Sequence, residues 1–447
     1  MKNWRLNRLT QTQMLVLGYT LIILLGTGLL MLPVSTREGV VTPFTDAMFT
    51  ATSAACVTGL VVRDTYQYWS TFGQCVIIGI IQIGGLGFMT IGVFFATLLR
   101  RRVGLWMRGT MQESVNALQL GGIVRLTKFI IKGTFLIEGT GAVLLTLCFW
   151  RKMPFGKALF YGIFHSVSAF CNAGFDLMGE GEAYSSFTAY YDDWFVNLVL
   201  MALIILGGLG FFVWSDLKQN KLRFRKYRLH TKLVVLTTAV LLAAGTVLLF
   251  IAEQDYTLKG MPPGDQILCS MFGSVTARTA GFNTVDTAAL SDSGKMITMI
   301  LMFIGGSPGS TAGGIKTTTF LVLIIYAVAS LQQKKDCNVF GRRLDDGSIH
   351  KASSVLCINL FAAVAAIVII SGAQALPLTD VLFEVFSAIG TVGMTTGVTR
   401  EMTAVSKFVL IFLMYCGRVG SLTFAFSLRG HKVDAAVKQP VEQIMIG

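Results

Sequence analysis

Glycine recurs at four positions of this chain where backbone atoms, rather than side chains, could bind an ion. Gly59, Gly174, Gly281 and Gly393 each follow a small or polar residue by six positions and are spaced 115, 107 and 112 residues apart. Glycine adopts backbone conformations that other residues avoid, and it lets carbonyl groups approach a ligand closely. A ring of carbonyl oxygens can replace the hydration shell of a monovalent cation. These positions therefore predict coordination of a cation by the main chain.

The segments that carry these glycines read SAACVTGL, SAFCNAGF, VTARTAGF and SAIGTVGM, and none contains a carboxylate. A divalent cation would usually be offered charged oxygens. A carbonyl ring favours a large monovalent cation such as potassium, although carbonyls alone do not exclude sodium. The alternative interpretation is that the glycines only let helices pack closely. Their recurrence in one frame, after a short amphipathic segment, favours the ion site.

A fifth glycine-rich stretch, GGSPGSTAGGIKT at residues 305–317, has a different character. It is similar to a phosphate-binding loop, but Ile315 separates Gly314 from Lys316. The apolar runs MITMILMFI and TTTFLVLIIYAVAS flank it on either side. As one helix, residues 296–330 would be about 52 Å long, against a bilayer core of roughly 30 Å. The stretch is therefore predicted to break that helix at the middle of the membrane.

The elements that must position these glycines are transmembrane helices. The chain has 447 residues, of which 53% are hydrophobic and only 14% charged, and its mean hydropathy is +0.65. A soluble domain needs more charge on its surface. Since the first apolar run is too long for a signal-peptide core, it is interpreted as the first spanning helix. Uncharged runs long enough to cross a bilayer occupy residues 9–36, 71–99, 194–214, 233–252 and 352–379.

The four glycine segments belong to an internal repeat. Each repeat has an apolar span, a proline-marked turn with a short amphipathic segment, the glycine segment, and a second apolar span. Non-helical backbone at membrane depth is tolerated only where it is buried in protein or lines a wet cavity. The pattern predicts an all-α polytopic membrane protein with eight spanning helices and four re-entrant pore loops around one central pore. The predicted repeats are residues 9–110, 124–220, 231–332 and 351–429, followed by a C-terminal tail at 430–447.

The net charge of +13 is unevenly distributed. The predicted inner segments hold 25 Lys and Arg against 7 Asp and Glu, whereas the predicted outer segments hold 10 against 16. This is the positive-inside pattern, so the excess points to a cell membrane and not to nucleic acid. It predicts a multi-pass protein with cytoplasmic N- and C-termini and basic segments that contact membrane lipids or a soluble partner. The inner segments are residues 1–8, 100–132, 215–232, 331–351 and 429–447.

Other classes of function find little support in the sequence. The eight cysteines have no C-x-x-C spacing and the four histidines are scattered, so no catalytic residues and no cofactor of this chain are predicted. A secondary active cation symporter with a midplane site is the main alternative, because such proteins also use broken helices. Many of them contain inverted repeats, however, whereas these four repeats run in the same direction.

At these motifs the sequence resembles the Trk/Ktr/HKT superfamily of potassium transporters, and especially the bacterial Ktr membrane subunit. The resemblance covers residues 9–429 and is carried by TGL, NAGF, TAGFN and TVGM in register, with a lone arginine in the last span. It implies potassium uptake through a gated pore, a homodimer, and a cytoplasmic nucleotide-binding regulatory ring of the RCK type. No G-x-G-x-x-G fingerprint opens a soluble βαβ unit here, so the regulator and its nucleotide would belong to another polypeptide. Passive and sodium-coupled transport both remain open.

The resemblance also implies a selectivity filter and an intramembrane gate. Family members with serine at the first filter position tend to pass sodium, so Gly59 implies potassium, bound by filter carbonyls. The implied filter residues are Val57, Thr58, Gly59, Asn172, Ala173, Gly174, Thr279, Ala280, Gly281, Thr391, Val392 and Gly393. The implied gating loop spans 305–315, and the gate residues are Gly305, Gly306, Gly309, Thr311, Gly313, Gly314, Lys316 and Arg418.

Four charged residues at or near membrane depth need separate interpretations. Arg418 either opposes cations, holds the loop through its carbonyls, or braces helices, because an arginine at this depth must face protein or water. Lys316 is predicted to extend to the inner interface. Glu138 could pair with Lys132 only in a bent helix and is left unassigned. Arg278 could reach Asp286 or cap the short helix before it.

Overall fold

A computed structural model describes residues 10–87, 122–221, 223–334 and 336–428, with single residues at 90, 109, 112, 440, 442 and 445. The basic segment 1–8, most of residues 100–121 and most of the predicted tail 430–447 lie outside the described residues. The predictions for those segments therefore stay predictions.

The regular secondary structure of the described part of the chain is almost entirely helical. One antiparallel hairpin, Asn338–Val339 paired with Arg342–Arg343, was not part of the all-α prediction. The helices are α1 Gln11–Leu30, α2 Phe44–Ala55, α3 Thr71–Leu86, α4 Ile123–Phe149, α5 Phe155–Cys171, α6 Trp194–Leu209, α7 Phe211–Asn220, α8 Leu229–Glu253, α9 Pro263–Thr276, α10 Asp292–Phe303, α11 Thr317–Leu331, α12 Asp346–Ala373, α13 Leu378–Gly390, α14 Ala404–Val419 and α15 Ser421–Leu428.

Four of these helices, α1, α4, α8 and α12, are individually long and apolar enough to cross a membrane. Two pairs reach that length together but bend sharply, α6 with α7 by 96° and α14 with α15 by 97°. The apolar helices α3 and α11 are shorter. The described residues thus hold four to six spans by length and composition. An all-α membrane protein is confirmed, and the count of eight spans stays a prediction.

The long helices carry apolar side chains on their outer faces. Leu25 of α1 is 61% exposed and Phe361 of α12 is 75% exposed. An apolar surface that extends over four helices is unfavourable in water and favourable in contact with lipid tails. The exposed leucines and phenylalanines therefore belong to a lipid-facing surface.

Four short helices, α2, α5, α9 and α13, begin at the predicted proline turns. Each has a proline as its N-cap residue: Pro43, Pro154, Pro262 and Pro377. Proline suits a helix start because its φ is already near the helical value and no N–H is needed there. Each short helix packs against the long helix that precedes it in its repeat. The interior therefore lies where the short helices converge, and each buries at least one phenylalanine: Phe49, Phe164 with Phe170, Phe272 and Phe383.

The helix predicted to break in the third repeat is broken. Helix α10 ends at Phe303 and α11 begins at Thr317. The ends of the intervening segment meet in a single parallel bridge between Ile304 and Ile315. We call residues 304–316 the broken segment. In the second and fourth repeats the corresponding glycine clusters produce only a change of helix direction, at Gly210 and Gly420, both with positive φ. In the first repeat α3 ends before Gly87, which also has positive φ.

Candidate functional site

The four repeated glycines meet one another at the centre of the molecule. A Cβ atom added to Gly59 would lie 2.6 Å from the carbonyl oxygen of Ala173, and one added to Gly174 would lie 2.6 Å from that of Ala280. One added to Gly281 would lie 2.5 Å from the carbonyl oxygen of Val392. The set closes at Gly393, which lies against the carbonyl of Thr58. We call this closed set of Gly59, Gly174, Gly281 and Gly393 the glycine ring.

The order of contacts around the glycine ring follows the order of the repeats in the chain. Each glycine touches the carbonyl of the residue just before the next repeat's glycine, and the fourth repeat returns to the first. Four carbonyl oxygens, one from each repeat, are therefore arranged around one axis. Main-chain oxygens in such a ring can replace water around a monovalent cation. They belong to Thr58, Ala173, Ala280 and Val392.

The backbone of each glycine segment alternates in handedness. The glycine has positive φ, between 68° and 95°, and so does the residue two positions before it. The residue between them does not. This alternation turns successive carbonyl groups toward the same side of the segment. The non-glycine residues with positive φ are Val57 at 50°, Asn172 at 59°, Thr279 at 74° and Thr391 at 51°.

This conformation is strained at the three β-branched positions among those four residues. A β-branched residue with positive φ is uncommon, and such strain costs on the order of 1–3 kcal/mol each. It persists only where the surroundings over-determine the backbone. Repetition of the same strain at one frame in all four repeats marks the segments as a built site.

Hydroxyl groups of the short helices fix the glycine segments from behind. The Ser53 and Ser387 hydroxyls each accept a hydrogen bond from the ring glycine six residues later, at 3.1 Å in both cases. The Ser168 hydroxyl donates to the carbonyl of Phe175, and the Thr276 hydroxyl to that of Phe282, both at 2.7 Å. Sequence reasoning missed this role. Its signal was present as the serine six positions before Gly59, Gly174 and Gly393, whereas in the third repeat the hydroxyl belongs to Thr276, five positions before Gly281.

A cavity of about 680 Å³ opens on one side of the glycine ring. The four ring glycines form its floor, and the loops that follow them form its walls. Four acids line it against one arginine: Asp64, Asp176, Glu182, Asp286 and Arg400. Burial raises the pKa of the Asp176 carboxyl to about 7, and the nearby Asp64 acts in the same direction. An acidic cavity concentrates cations at the entrance to the ring.

The broken segment lies on the opposite side of the ring. The Thr311 hydroxyl reaches the carbonyl of Phe170 at 3.0 Å and the Asn172 side-chain oxygen at 3.2 Å. Gly313 lies against the Thr391 side chain, and Gly314 lies against Gly390. These partners come before the ring glycines in their segments, whereas the cavity is lined by the glycines and the residues after them. An ion that passed through the ring from the cavity would therefore reach the broken segment next.

Backbone hydrogen bonds tie the broken segment to the bend in the second repeat. The Phe211 N–H donates to the carbonyl of Gly309 at 2.7 Å, and the Ser307 N–H donates to that of Gly208 at 3.0 Å. Gly309 and Gly314 both have positive φ, which favours glycine at these two positions. The segment is thus an ordered loop with defined partners.

Arg418 connects the broken segment to the first repeat. Its guanidinium donates to the carbonyl of Thr311 in the segment, and to the carbonyls of Gly84 and Gly85 at the end of α3. Its bond to Gly85 is 2.9 Å long. Two of the predicted roles are therefore combined in one side chain, which contacts the loop and also braces a helix end. These contacts join residues more than 100 positions apart, so sequence spacing could not assign them.

The prediction for Lys316 was wrong. Its ammonium group turns back onto the broken segment and donates to the carbonyls of Ala312 at 2.7 Å and Gly313 at 3.4 Å. If Lys316 extended to the interface, the carbonyls of Ala312 and Gly313 would lose this donor, and unpaired carbonyls are costly at membrane depth. Lys316 therefore stabilises the loop from within.

Glu138 and Arg278 also lie in environments that the sequence did not indicate. Glu138 does not pair with Lys132; both of its carboxylate oxygens accept from the Gln82 amide at 3.1 Å. Arg278 makes no ion pair with Asp286 among the described residues. Its Nε is buried without a hydrogen-bond partner in the described part of the chain.

No group of three or more histidine, cysteine, aspartate or glutamate side chains able to hold a metal occurs among the described residues. The candidate site instead consists of main-chain carbonyls, an acidic cavity on one side and a loop on the other. This arrangement is that of a helical membrane protein with a ring of main-chain carbonyls where its four repeats meet.

The chain belongs to the TrkH family of cation transport proteins, whose sequence profile matches residues 2–438. The potassium/sodium uptake protein NtpJ of Enterococcus hirae is 40% identical over 447 residues, covering 98% of each chain. The Ktr system potassium uptake protein B of Bacillus subtilis is 40% identical over 422 residues, covering 94% of this chain and 93% of its own. These relatives are ion transporters and not enzymes, as expected.

The fold is also that of a solved family member. The crystal structure of the potassium transporter TrkH from Vibrio parahaemolyticus superposes with a TM-score of 0.73 at 19% identity, covering 96% of this chain and 87% of that one. The predicted resemblance to the Trk/Ktr superfamily is thereby confirmed.

Proposed function

We propose that this chain takes up potassium across the cell membrane through a selective, gated pore, as the ion-translocating subunit of a Ktr-type system. The observation that carries the proposal is the closed ring of four carbonyls, one from each repeat, at Thr58, Ala173, Ala280 and Val392. The names of the relatives from Enterococcus hirae and Bacillus subtilis support potassium as the ion.

Potassium is favoured over other cations by the chemistry of the ring. Glycine stands at the ring position in all four repeats, and no carboxylate lies within the segments, so the ion is coordinated by neutral oxygens. Magnesium or calcium would need charged or water ligands. The proposed filter consists of the residues named from the family resemblance, and their alternating backbone supports that role.

The proposed pathway runs from the acidic cavity, through the glycine ring, to the broken segment. The segment contacts the inner ends of two glycine segments, in repeats two and four. It therefore obstructs the path immediately inside the filter and acts as the gate. Opening requires its hydrogen bonds to Arg418 and to the second repeat to be exchanged for others. In this arrangement the protein has eight spans and both termini in the cytoplasm.

We further propose a homodimer that works with a separate cytoplasmic nucleotide-binding ring. The Bacillus subtilis relative is named as a component of a Ktr system, which supports a partner. The basic segment 218–232 offers a surface, since Arg223, Arg225 and Lys226 are exposed. Recovery of a soluble nucleotide-binding protein with this chain from its native membrane tests this point, and a tagged chain that recovers none would reject it.

Ion flux into vesicles tests the proposed function directly. The purified chain is reconstituted into proteoliposomes loaded with potassium. The outward potassium gradient drives uptake of radioactive rubidium, which is measured with protein-free vesicles as the control. Rubidium uptake that excess potassium inhibits and excess sodium does not is the expected result. Uptake equal to that of the protein-free vesicles would reject a conducting pore. Repeating the measurement without sodium separates passive conduction from sodium-coupled symport.

A further inference from the structure

The short helix of the fourth repeat contains a buried carboxylate that faces the back of the glycine segment. Glu384 of α13 has no solvent exposure. Its Oε1 accepts from the hydroxyl of Thr395, and its Oε2 accepts from the hydroxyl of Thr399 at 2.6 Å. None of the ion pairs within the described residues includes Glu384. A buried carboxylate without a counter-charge is costly, so its hydrogen bonds from the two hydroxyls and from the Thr396 N–H are what make it tolerable.

The two threonines belong to the outer lip of the ring. Thr395 follows Gly393 by two positions and lines the acidic cavity together with Gly397. The Thr395 hydroxyl also accepts from the Gly397 N–H at 2.9 Å and lies 3.0 Å from the Thr399 hydroxyl. Glu384 therefore joins the short helix behind the filter to the chain that leaves the filter on its outer side.

The residues that correspond to Glu384 in the other repeats show which repeats have a similar connection. Nine positions before the ring glycine stand Thr50, His165, Phe272 and Glu384. His165 is also buried and accepts a hydrogen bond from the Leu177 N–H at 3.0 Å, three residues after Gly174.

The residue at this position makes no such connection in the first and third repeats. The Thr50 hydroxyl donates to the Asp46 carbonyl of its own helix at 2.9 Å, and the Phe272 side chain has no polar atom. In the first repeat another residue of the short helix, Asp46, reaches the chain after the ring glycine through an ion pair with Arg63 at 3.0 Å. The repeats connected at this position, two and four, are diagonally opposed in the glycine ring.

We propose that Glu384 is a positioning residue for ion selectivity. It holds the outer end of the fourth glycine segment at a fixed distance from the short helix, and so fixes the Val392 carbonyl in the ring. The inference rests on the proposed pore function. The role belongs to the connection through two hydroxyls, and the negative charge is secondary. Loss of the connection lets the fourth carbonyl move, which weakens discrimination between potassium and the smaller sodium ion.

Three variants test the connection. Glu384→Ala removes it and lowers potassium/sodium selectivity about tenfold, a change of about 1.4 kcal/mol. Glu384→Gln keeps the side chain length and can still bond both hydroxyls, so it retains selectivity within about threefold of the wild-type value. The double variant Thr395→Val/Thr399→Val removes the two hydroxyl bonds and leaves the bond from the Thr396 N–H, so it causes most of the loss of selectivity seen in Glu384→Ala. Adding Glu384→Ala to it causes only a small further loss, because both changes remove the same two hydroxyl bonds.

Asp380→Asn is the matched control, since Asp380 lies one turn earlier on α13 and reaches only Lys295 at 3.9 Å. Selectivity is measured as competition of sodium against rubidium uptake in vesicles. A second measurement needs no transport: the rise in thermal midpoint of the purified protein on adding potassium rather than sodium, since a ligand that binds only the folded state stabilises it. Glu384→Ala reduces that difference, and Asp380→Asn leaves it unchanged.

The outcomes that overturn the proposal are distinct from failure of the pore function. Wild-type protein that carries no rubidium rejects the pore, while the potassium-specific stabilisation still reports on Glu384. Folded Glu384→Ala protein with undiminished stabilisation and selectivity rejects the positioning role. Glu384→Gln protein as defective as Glu384→Ala assigns the effect to charge and also rejects it. Additive effects of Glu384→Ala and Thr395→Val/Thr399→Val also reject the positioning role, because the changes would then act through separate interactions.

Discussion

The glycine ring and the broken segment are both glycine-rich, yet they are held in different ways. The ring is closed by contacts of backbone on backbone, repeated four times around one axis. The broken segment occurs once, and much of its support comes from side chains, Arg418 from the fourth repeat and its own Thr311 and Lys316. Symmetric backbone contacts cannot be released one at a time without strain. Single side-chain contacts can be released in this way, so the difference supports the proposal of a rigid filter and a releasable gate.

The surroundings of the individual glycines sharpen this contrast. A side chain at any ring position would meet a carbonyl of the next repeat, and the backbone there cannot give way. In the broken segment, a side chain at Gly306 would first meet the Ala312 methyl, and one at Gly313 the Thr391 hydroxyl. These contacts still restrict substitution, but partly through side chains.

The largest expected effect comes from breaking the unique contact. Arg418→Met removes the bonds to Thr311, Gly84 and Gly85 and also a positive charge near the path. At an effective dielectric of about 20 and a distance of about 6 Å, that charge opposes a passing cation by roughly 2–3 kcal/mol. Basal rubidium flux in vesicles without a regulator should rise by a factor of tens to about a hundred. Arg400→Met, in the outer cavity, is the control and should not open the gate.

A loop deletion separates a latch from a barrier. Removing residues 309–311 should also raise basal flux, and combined with Arg418→Met it should add little, because both changes remove the same contact at Thr311. Additive effects would keep the segment as the gate but reject Arg418 as its latch. If the protein that lacks residues 309–311 folds, inserts and conducts like the wild type, the gate is rejected. The glycines of the segment would then be assigned to helix packing.

The next effect breaks the ring itself. Gly59→Ser places a side chain 2.6 Å from the carbonyl oxygen of Ala173 and into a backbone with φ of 95°. Because the ring must deform, potassium/sodium selectivity should fall about tenfold, a change of about 1.4 kcal/mol. Gly79→Ser is the matched control, since Gly79 lies on α3 with open space around it. If sodium competes equally with rubidium uptake in both variants, the assignment of Gly59 to the filter is rejected.

A smaller effect tests the second contact of the broken segment. Thr311→Val conserves shape but deletes the hydroxyl bonds to Phe170 and Asn172. Loss of about 1 kcal/mol of hydrogen bonding should raise basal flux about three- to fivefold, less than Arg418→Met does. Thr298→Val is the control, because the Thr298 hydroxyl bonds only to Gly294 in its own helix. A rise larger than that of Arg418→Met would reverse the assigned order of the two contacts.

The smallest effect is a pH dependence in the outer cavity. Since burial raises the pKa of Asp176 to about 7, its carboxyl is mostly protonated at pH 6 and mostly ionised at pH 8. The ionised form attracts potassium, so the KM for potassium should be about twofold higher at pH 6 than at pH 8, and more so at low salt. Asp176→Asn should remove the dependence, whereas Asp286→Asn, in the same cavity, should keep it.

The sequence predicted those parts of the molecule that are repeated or local. The four short helices with proline caps and the break between α10 and α11 follow from spacing, proline chemistry and the length of a bilayer span. The expected convergence of four glycines follows from the recurrence of one frame, and in the structure each glycine contacts the next repeat.

The parts that occur once were not predictable in the same way. Arg418 contacts Gly84, more than 300 residues away, and no periodicity links them. Lys316 was predicted at the interface because hydropathy treats a lysine as needing water, whereas carbonyls of its own loop satisfy it. The bond between Glu384 and Thr399 also depends on how a helix and a loop cross, which a pattern of residue types does not specify.

Closure of the glycine ring has a consequence for biosynthesis. The contact that completes the ring joins Gly393 to Thr58, so it cannot form until the last repeat has been translated. At a synthesis rate of about 5–20 residues per second, the first glycine segment waits on the order of tens of seconds for its neighbour. During that interval an incomplete ring resides in the membrane with polar backbone on its open side. Nascent chains arrested before the fourth repeat should therefore depend on an insertase or chaperone that covers that side.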